Sequence, residues 1–396
     1  MNNKHISLWT KNFIAFFFAN FFMNLGAQFL FPTLPLYSIS VLGANQSQVG
    51  YIIGAYSFAA LLVRPLSGYA YDYIGRKKVF TISLLLFTII TITYPFAATF
   101  LMLILFRFIH GLAFGLTSTG GGTIIGDVVP EKRRGEGVGY FGLANTLSMA
   151  LGPAIGLWIM AGNKFNNLFL SSGILIGVSL ILAMFISLPK NISKSQKITF
   201  NSFFEKRVVR ISIIMSLVGV VLGGVLSYII IFSLEIGIVN GGLYFIVNSA
   251  GVVITRLFAG KVLDKHGPKP VIIFGFIALS LGFILLSACN DLIVFLLASF
   301  LIGLGNGTIM PTLQTMVINM VEPEKRGVAS STFFAFMDIG IGGGSIFLGW
   351  LTSIVTLKTM FLISGIFILL PFLLFLTYVL HDYEKKVSQL HSDNNL

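Results

Sequence analysis

From Asn12 to Val63 the chain carries no Asp, Glu, Lys or Arg. A helix needs about 20 mostly apolar residues to cross a bilayer, so a run of this length holds two crossings. The turn signals Gly43-Ala44-Asn45-Gln46 divide it. The same reading along the chain gives twelve spans, over 12–37, 48–71, 79–99, 100–126, 138–162, 167–189, 209–234, 242–261, 270–288, 292–320, 328–352 and 359–380. With 56% of the residues hydrophobic and only 10% charged, against about 25% charged in a soluble domain, the chain reads as an integral membrane protein. Lys4 and Lys11 precede an apolar run that continues well past a signal-peptide core, so it reads as the first span.

The formal charge of +12 would suggest nucleic acid on a soluble chain. Here the basic residues sit between apolar runs, in clusters such as Arg76-Lys77-Lys78 and Lys132-Arg133-Arg134. With the N-terminus placed inside, only Lys164 and Lys358 fall in outer loops, and Arg64, Arg107 and Arg256 lie within spans. That bias is the positive-inside rule, which sets topology and needs no nucleic acid. The expected location is the cell membrane, multi-pass, with both termini cytoplasmic. One cysteine, Cys289, excludes an intrachain disulfide and a thiolate metal cluster.

Residues 64–79 and 256–271 share Arg, Gly, Asp, Gly, Lys and Val at identical spacing, offset by 192. Gly111, Leu112 and Gly115 match Gly303, Leu304 and Gly307 at that offset, and Pro130-Glu131-Lys132-Arg133 matches Pro323-Glu324-Lys325-Arg326 one residue later. The chain is therefore expected to be two homologous halves. These are an N-terminal six-helix bundle over 1–189 and a C-terminal bundle over 209–382, with a central cytoplasmic linker over 190–208 and a polar tail over 383–396. Two parallel repeats of six spans are a transporter design, with the substrate held near the midplane.

No G-x-x-x-x-G-K-[ST] phosphate loop occurs, so transport is expected to run on a gradient. No G-x-S-x-G elbow occurs, and His110 and Asp338 lie in different halves, so an intramembrane hydrolase is not expected. A channel has no need of two repeated clamps.

Gly68-x-x-x-Asp72-x-x-Gly75-Arg76-Lys77 resembles the loop 2–3 signature of the major facilitator superfamily. Arg107-x-x-x-Gly111-x-x-x-Gly115 is similar to its fourth-helix signature, and Gly152-Pro153-Ala154-Ile155-Gly156 to the fifth-helix signature of its antiporter branch. Tyr73, Ser148 and Leu157 depart from those patterns. The resemblance implies an all-α membrane fold of twelve transmembrane helices in two pseudo-symmetric six-helix bundles. It also implies a proton-coupled exporter of small organic molecules, an antiporter working by alternating access and not an enzyme. An exporter of one metabolite, such as a metallophore or siderophore, is the alternative, and a proton-coupled uptake symporter the next. The expected partners are a small organic substrate, protons and the bilayer. No nucleic acid, cofactor or metal is expected, and the chain is expected to act as a monomer.

By the same resemblance, Gly68, Asp72, Gly75, Arg76 and Lys77 would form a cytoplasmic gate. Their glycines would allow close helix approach and a tight turn. Gly152, Pro153 and Gly156 remove bulk from span 5 and admit either a seal against the other half or ordinary packing, with the glycines of span 11 as the natural partner. Asn20, Asn24 and Gln28 share one helix face, expected to line the cavity with Asn145 and Asn306.

Ionisable groups inside spans are rare and usually functional. Asp338 is the acid deepest inside a span, and Arg107 stands alone between Lys78 and Asp127. At the repeat offset Arg107 aligns with Ser299 and Asp338 with Thr146, so both charges break the symmetry. A carboxylate held away from water binds a proton nearer neutrality than one in water. Asp338 is therefore expected to couple protonation to substrate release, with Arg107 and His110 tuning the site or meeting an anionic part of the substrate. Glu235, at the outer end of span 7, is either a proton acceptor from outside or an ordinary loop acid.

Overall fold

The computed structural model describes residues 7–130, 133–188, 204–322 and 325–393. Among them are twelve helices with the length and composition to cross a membrane, and no strand. They are α1 (Lys11–Ser40), α2 (Val49–Tyr73), α3 (Arg76–Thr93), α4 (Phe100–Val128), α5 (Arg134–Met160), α6 (Phe165–Met184), α7 (Val209–Glu235), α8 (Leu243–His266), α9 (Pro268–Ser287), α10 (Leu292–Asn319), α11 (Arg326–Leu351), and a last span that opens with α12 (Leu357–Phe367). That span continues through α13 (Leu369–Leu374) and a π turn at Phe375–Val379 into α14 (Leu380–Asp393).

Helix starts follow local chemistry. Thr10 accepts a hydrogen bond from Phe13 N, Thr99 from Met102 N and Asp291 from Val294 N, each satisfying an orphan donor of the first turn. The repeat appears in the turns as well. Gly75 before α3 has φ +107° and Gly267 before α9 has φ +74°, a region that disfavours any Cβ.

The helices fall into two compact units. The first comprises residues 1–42 and 58–196. In it α1 packs on α5 and α6, and α3 lies against α6 and α4. The second comprises residues 43–57 and 197–396, with α7 on α11, α10 on both α8 and α9, and α12 on α9. This differs from the expected division in one segment. Residues 43–57, assigned by sequence to the N-terminal half, group with the second unit because the first turns of α2 carry no bulk. A Cβ on Gly50 would lie 2.1 Å from Ser345 O, and one on Gly54 2.7 Å from Ile346 Cδ1. The expected polar tail is helical as far as Asp393, while most of the expected linker lies outside the described residues.

Glycines bring the helices together inside each unit. A Cβ on Gly152 would fall 2.4 Å from Gln28 Cβ, and one on Gly156 2.9 Å from Phe29 Cα, both on α1. On α11, a Cβ on Gly340 would lie 2.0 Å from Ser216 O and one on Gly344 2.3 Å from Val220 Cα, both on α7. Gly152 and Gly156 of α5 and Gly340 and Gly344 of α11 thus pack within their own units, the ordinary-packing alternative of the two left open above. A Cβ on Gly68 would meet nothing within 4 Å among the described residues.

Candidate functional site

In the first unit α4 carries Arg107 and His110 one turn apart, and both are buried, at 1% and 0% exposure. Burying a guanidinium is costly unless polar and aromatic groups receive it. The 3-10 turn at Tyr94–Phe96, which follows α3, brings the Tyr94 hydroxyl to 2.7 Å from His110 Nδ1. Arg107 Nη1 approaches the same nitrogen at 3.5 Å. The guanidinium carbon stands 5.5 Å from the centroid of the Phe31 ring, a cation–π distance. Phe87 packs on the imidazole at 4.5 Å between centroids, and Phe169 stacks on Tyr94 at 5.4 Å. The site sets a charge in an aromatic chamber beside an imidazole and a phenol.

Tyr94 and Phe31 were missed in the sequence, where each reads as one more aromatic in an apolar run. A signal was present. At the repeat offset Tyr94 aligns with Leu286, His110 with Ile302 and Phe31 with Gly223, so these three break the repeat with Arg107, whereas Phe169 matches Phe361.

The amides of α1 are placed differently from a simple lining. Asn20 is 2% exposed, and its Nδ2 donates to Asn145 Oδ1 at 2.8 Å. Asn24 Nδ2 donates to the same oxygen at 3.1 Å and to the backbone O of Asn20 at 2.8 Å. The triad joins α1 to α5. Gln28 follows on the same face, with its Cβ against Gly152. Asn306, on α10, is half-buried, and its Oδ1 has no hydrogen-bond partner among the described residues.

In the second unit Asp338 sits mid-α11 at 7% exposure, one turn before Gly342. Glu235 ends α7 and is exposed; its Oε1 accepts from Gln46 Nε2 at 2.9 Å. Beside it is a cavity of about 390 Å³ lined by Glu235, Asn290, Lys358 and the apolar Phe232, Ile236 and Leu357.

The basic ends of the spans carry ion pairs. In the first unit Arg76 pairs with Asp127 at the end of α4, and Lys77 Nζ donates to Met184 O at 2.8 Å, so α3 is tied to α4 and α6. Asp72 lies in the last turn of α2, and its side chain is outside the described residues. In the second unit Arg207 bridges Glu205 at 3.1 Å and Glu322 at 2.7 Å. The Arg207 guanidinium holds the Glu322 carboxyl down at about 2. Burial pushes the Glu205 carboxyl up, but its bonds to Arg207 outweigh that and leave it below the usual range. Lys386 and Asp382 of α14 join this end through Arg207 O and Arg210. Among the described residues no three His, Cys, Asp or Glu come together as metal ligands.

The profile described as Major Facilitator Superfamily matches residues 16–247 and 235–394. The chain is 26% identical to the staphylopine export protein of Staphylococcus aureus over 348 residues, 83% of this chain and 86% of that protein. It is 25% identical to the quinolone resistance protein NorA of the same species, over 83% of this chain and 87% of that protein. Among solved structures it superimposes on a bacterial homologue of the human lysosomal transporter Spinster with a TM-score of 0.77. That likeness covers 93% of this chain and 97% of the other at 16% identity, and shows the shared fold.

Proposed function

This chain belongs to the major facilitator superfamily and is a multi-pass membrane transporter, not an enzyme; from that premise we propose that it is a proton-coupled exporter. It would move small organic molecules out across the cytoplasmic membrane in exchange for protons, as a monomer, with both termini cytoplasmic. One observation carries the reading: Asp338, the acid deepest within a span, is buried mid-α11 at a position where the repeat has Thr146. A buried carboxylate inside a membrane span marks an ion or proton pathway by default. The direction of transport rests on the relatives named for export and for quinolone resistance.

In this reading Asp338 takes and releases the coupled proton, and Arg107 receives an anionic part of the substrate. Asn24, Gln28, Asn145 and Asn306 lie along its path. Arg76, Lys77 and Asp72 work the cytoplasmic gate, with Asp127 as the partner of Arg76. Glu235 serves as an outer proton entry. The test is reconstitution in proteoliposomes with an imposed pH gradient and norfloxacin as probe. Accumulation above equilibrium that a protonophore abolishes supports the reading; equilibration regardless of the gradient refutes it.

A second reading, export of a single metabolite such as a metallophore, is favoured by the relative named for staphylopine export. A deletion strain screened against antimicrobials and against metal starvation separates the two. Sensitivity to drugs alone removes the metallophore reading.

A further inference from the structure

The end of the second unit opposite the Arg207 ion pairs holds two opposite charges that do not pair with each other. Glu235, the last residue of α7, and Lys358, in the first turn of α12, line one cavity of about 390 Å³. That volume falls within the ~300–1,000 Å³ usual for ligand sites. A carboxylate and an ammonium on one cavity would neutralise each other by pairing, yet each goes to a neutral amide instead. Glu235 Oε1 accepts from Gln46 Nε2 at 2.9 Å, and Lys358 Nζ donates to Asn290 Oδ1. Both amides are fixed in turn. The Gln46 carbonyl accepts from the Tyr228 hydroxyl at 3.1 Å, and Asn290 Nδ2 donates to Ala288 O at 3.3 Å. The amides position the two charges and cancel neither.

Phe232, Ile236 and Leu357 give the cavity apolar lining. Beside Lys358, Thr356 caps α12 by accepting from Thr359 N at 3.3 Å. The other first-turn N–H groups of a helix have no partner within it and stand at the positive end of its dipole. The neighbouring Asp291 is engaged as the cap of α10, accepting from Val294 N at 3.0 Å. At the repeat offset Glu235, Asn290 and Lys358 align with Gly43, Ala98 and Asn166, so the repeat does not account for the arrangement.

From this geometry we propose that the cavity binds a zwitterion, a group that carries a cationic amine and an anionic acid on an apolar stem. The amine takes the oxygens of Glu235. The acid takes Lys358 Nζ and the first turn of α12, and the stem lies on Phe232, Ile236 and Leu357. A molecule with a single charge satisfies one side and leaves the other to its amide, so the site selects the dipole over either ion. This deepens the proposed function and rests on it only for place: with both termini cytoplasmic, the cavity lies at the outer face, where an exported zwitterion is released. A carboxylate that takes an amine there also takes a proton, so the two roles of Glu235 share one group. Two sources offer this chemistry, a soluble zwitterion and the headgroup of phosphatidylethanolamine.

Binding is tested without transport, on the full chain in nanodiscs of phosphatidylglycerol, by carbon-13 methyl spectroscopy of labelled isoleucine. The Ile236 signal is assigned through Ile236→Val. Three probes share one six-carbon stem: 6-aminohexanoate carries both charges, hexylamine the cation and hexanoate the anion. The zwitterion should shift the Ile236 signal at a concentration about 10-fold below that needed with either ion, the scale of one charge-assisted hydrogen bond. Equal shifts with all three probes, or no shift, overturn the proposal.

Glu235→Gln and Lys358→Gln should each weaken 6-aminohexanoate binding about 10-fold. Exchanging the charges, Glu235→Lys with Lys358→Glu, should restore it, because an amide has both donors and an acceptor and holds either sign. A merely structural role for the two charges gives no such rescue, so an exchange variant that is folded by its other isoleucine signals and binds no better than the single variants overturns the proposal. Phosphatidylethanolamine added to the nanodiscs separates the sources: displacement of 6-aminohexanoate identifies the headgroup as occupant, and an unchanged shift identifies the soluble zwitterion. Failure of uphill export in the wild-type protein would remove the role in release and leave the binding result standing.

Discussion

The pairs α1–α5 and α7–α11 make one contact twice. Gly152 stands against Gln28 in the first unit, and Gly344 against Val220 in the second; both members of the second pair lie 192 residues after those of the first. The α4–α2 and α10–α8 contacts repeat likewise, with Gly115 against Val63 and Gly307 against Thr255. Polar chemistry does not follow. Where the first unit has Arg107 in its aromatic chamber, the second has Ser299, whose Oγ donates to Tyr244 O at 2.6 Å and ties α10 to α8. Where the second has Asp338, the first has Thr146, which turns back to Gly142 O on its own helix. The steric scaffold is duplicated and these two charges deep within spans are not, so the scaffold accounts for the fold and Arg107 and Asp338 are where coupling is to be sought.

The largest expected effect breaks that comparison at its polar end. Arg107→Ala should lower uphill norfloxacin transport by about 100-fold, the scale at which a misplaced substrate group reduces turnover. Ser299→Ala, at the matching position, removes one hydrogen bond and should cost about 1 kcal/mol of stability with transport retained. Transport assays and thermal denaturation of the two variants check the contrast.

The steric end comes next. Gly344→Ala and Gly152→Ala should each destabilise by about 1–3 kcal/mol through overpacking. Gly344→Ala should be the worse, because its nearest obstacle is backbone, Val220 Cα, whereas that of Gly152 is a side-chain atom. Equal shifts in melting temperature would blunt the distinction.

Asn145→Ala should cost about 0.6 kcal/mol, the mean for a hydrogen bond between membrane helices, by releasing Asn20 and Asn24. Its counterpart Met337→Ala loses no such bond. The smallest effect is at Glu322. Its carboxyl is depressed by Arg207, so its contribution is present above the ordinary carboxylate range and is lost as pH falls toward about 2. The pair is largely exposed, so Glu322→Gln should cost less than about 1 kcal/mol near pH 7 and nothing in strong acid. Denaturation at both pH values gives the sign.

The twelve spans were legible because each apolar run is long and bounded by charge or turn residues, and the repeat because Gly, Asp and Pro recur at one offset. What the glycines meet was not legible. A glycine announces that something comes close and does not say what, and Gly152 and Gly156 of α5 meet Gln28 and Phe29 of α1. The same limit hid the placement of residues 43–57, whose neighbours lie about 300 positions away in sequence, at Ser345 and Ile346. Arg107, His110 and Asp338 stood out by type. Tyr94 did not, because its role depends on a turn that brings it across to α4.

The central claim is that the unduplicated acid of α11 carries the coupling. It is tested most directly with Asp338→Asn in proteoliposomes loaded at acid pH and diluted into alkaline buffer, with norfloxacin outside. The variant should retain counterflow and lose accumulation above equilibrium, while the wild-type protein does both. An Asp338→Asn protein that still accumulates norfloxacin against its gradient would contradict the account.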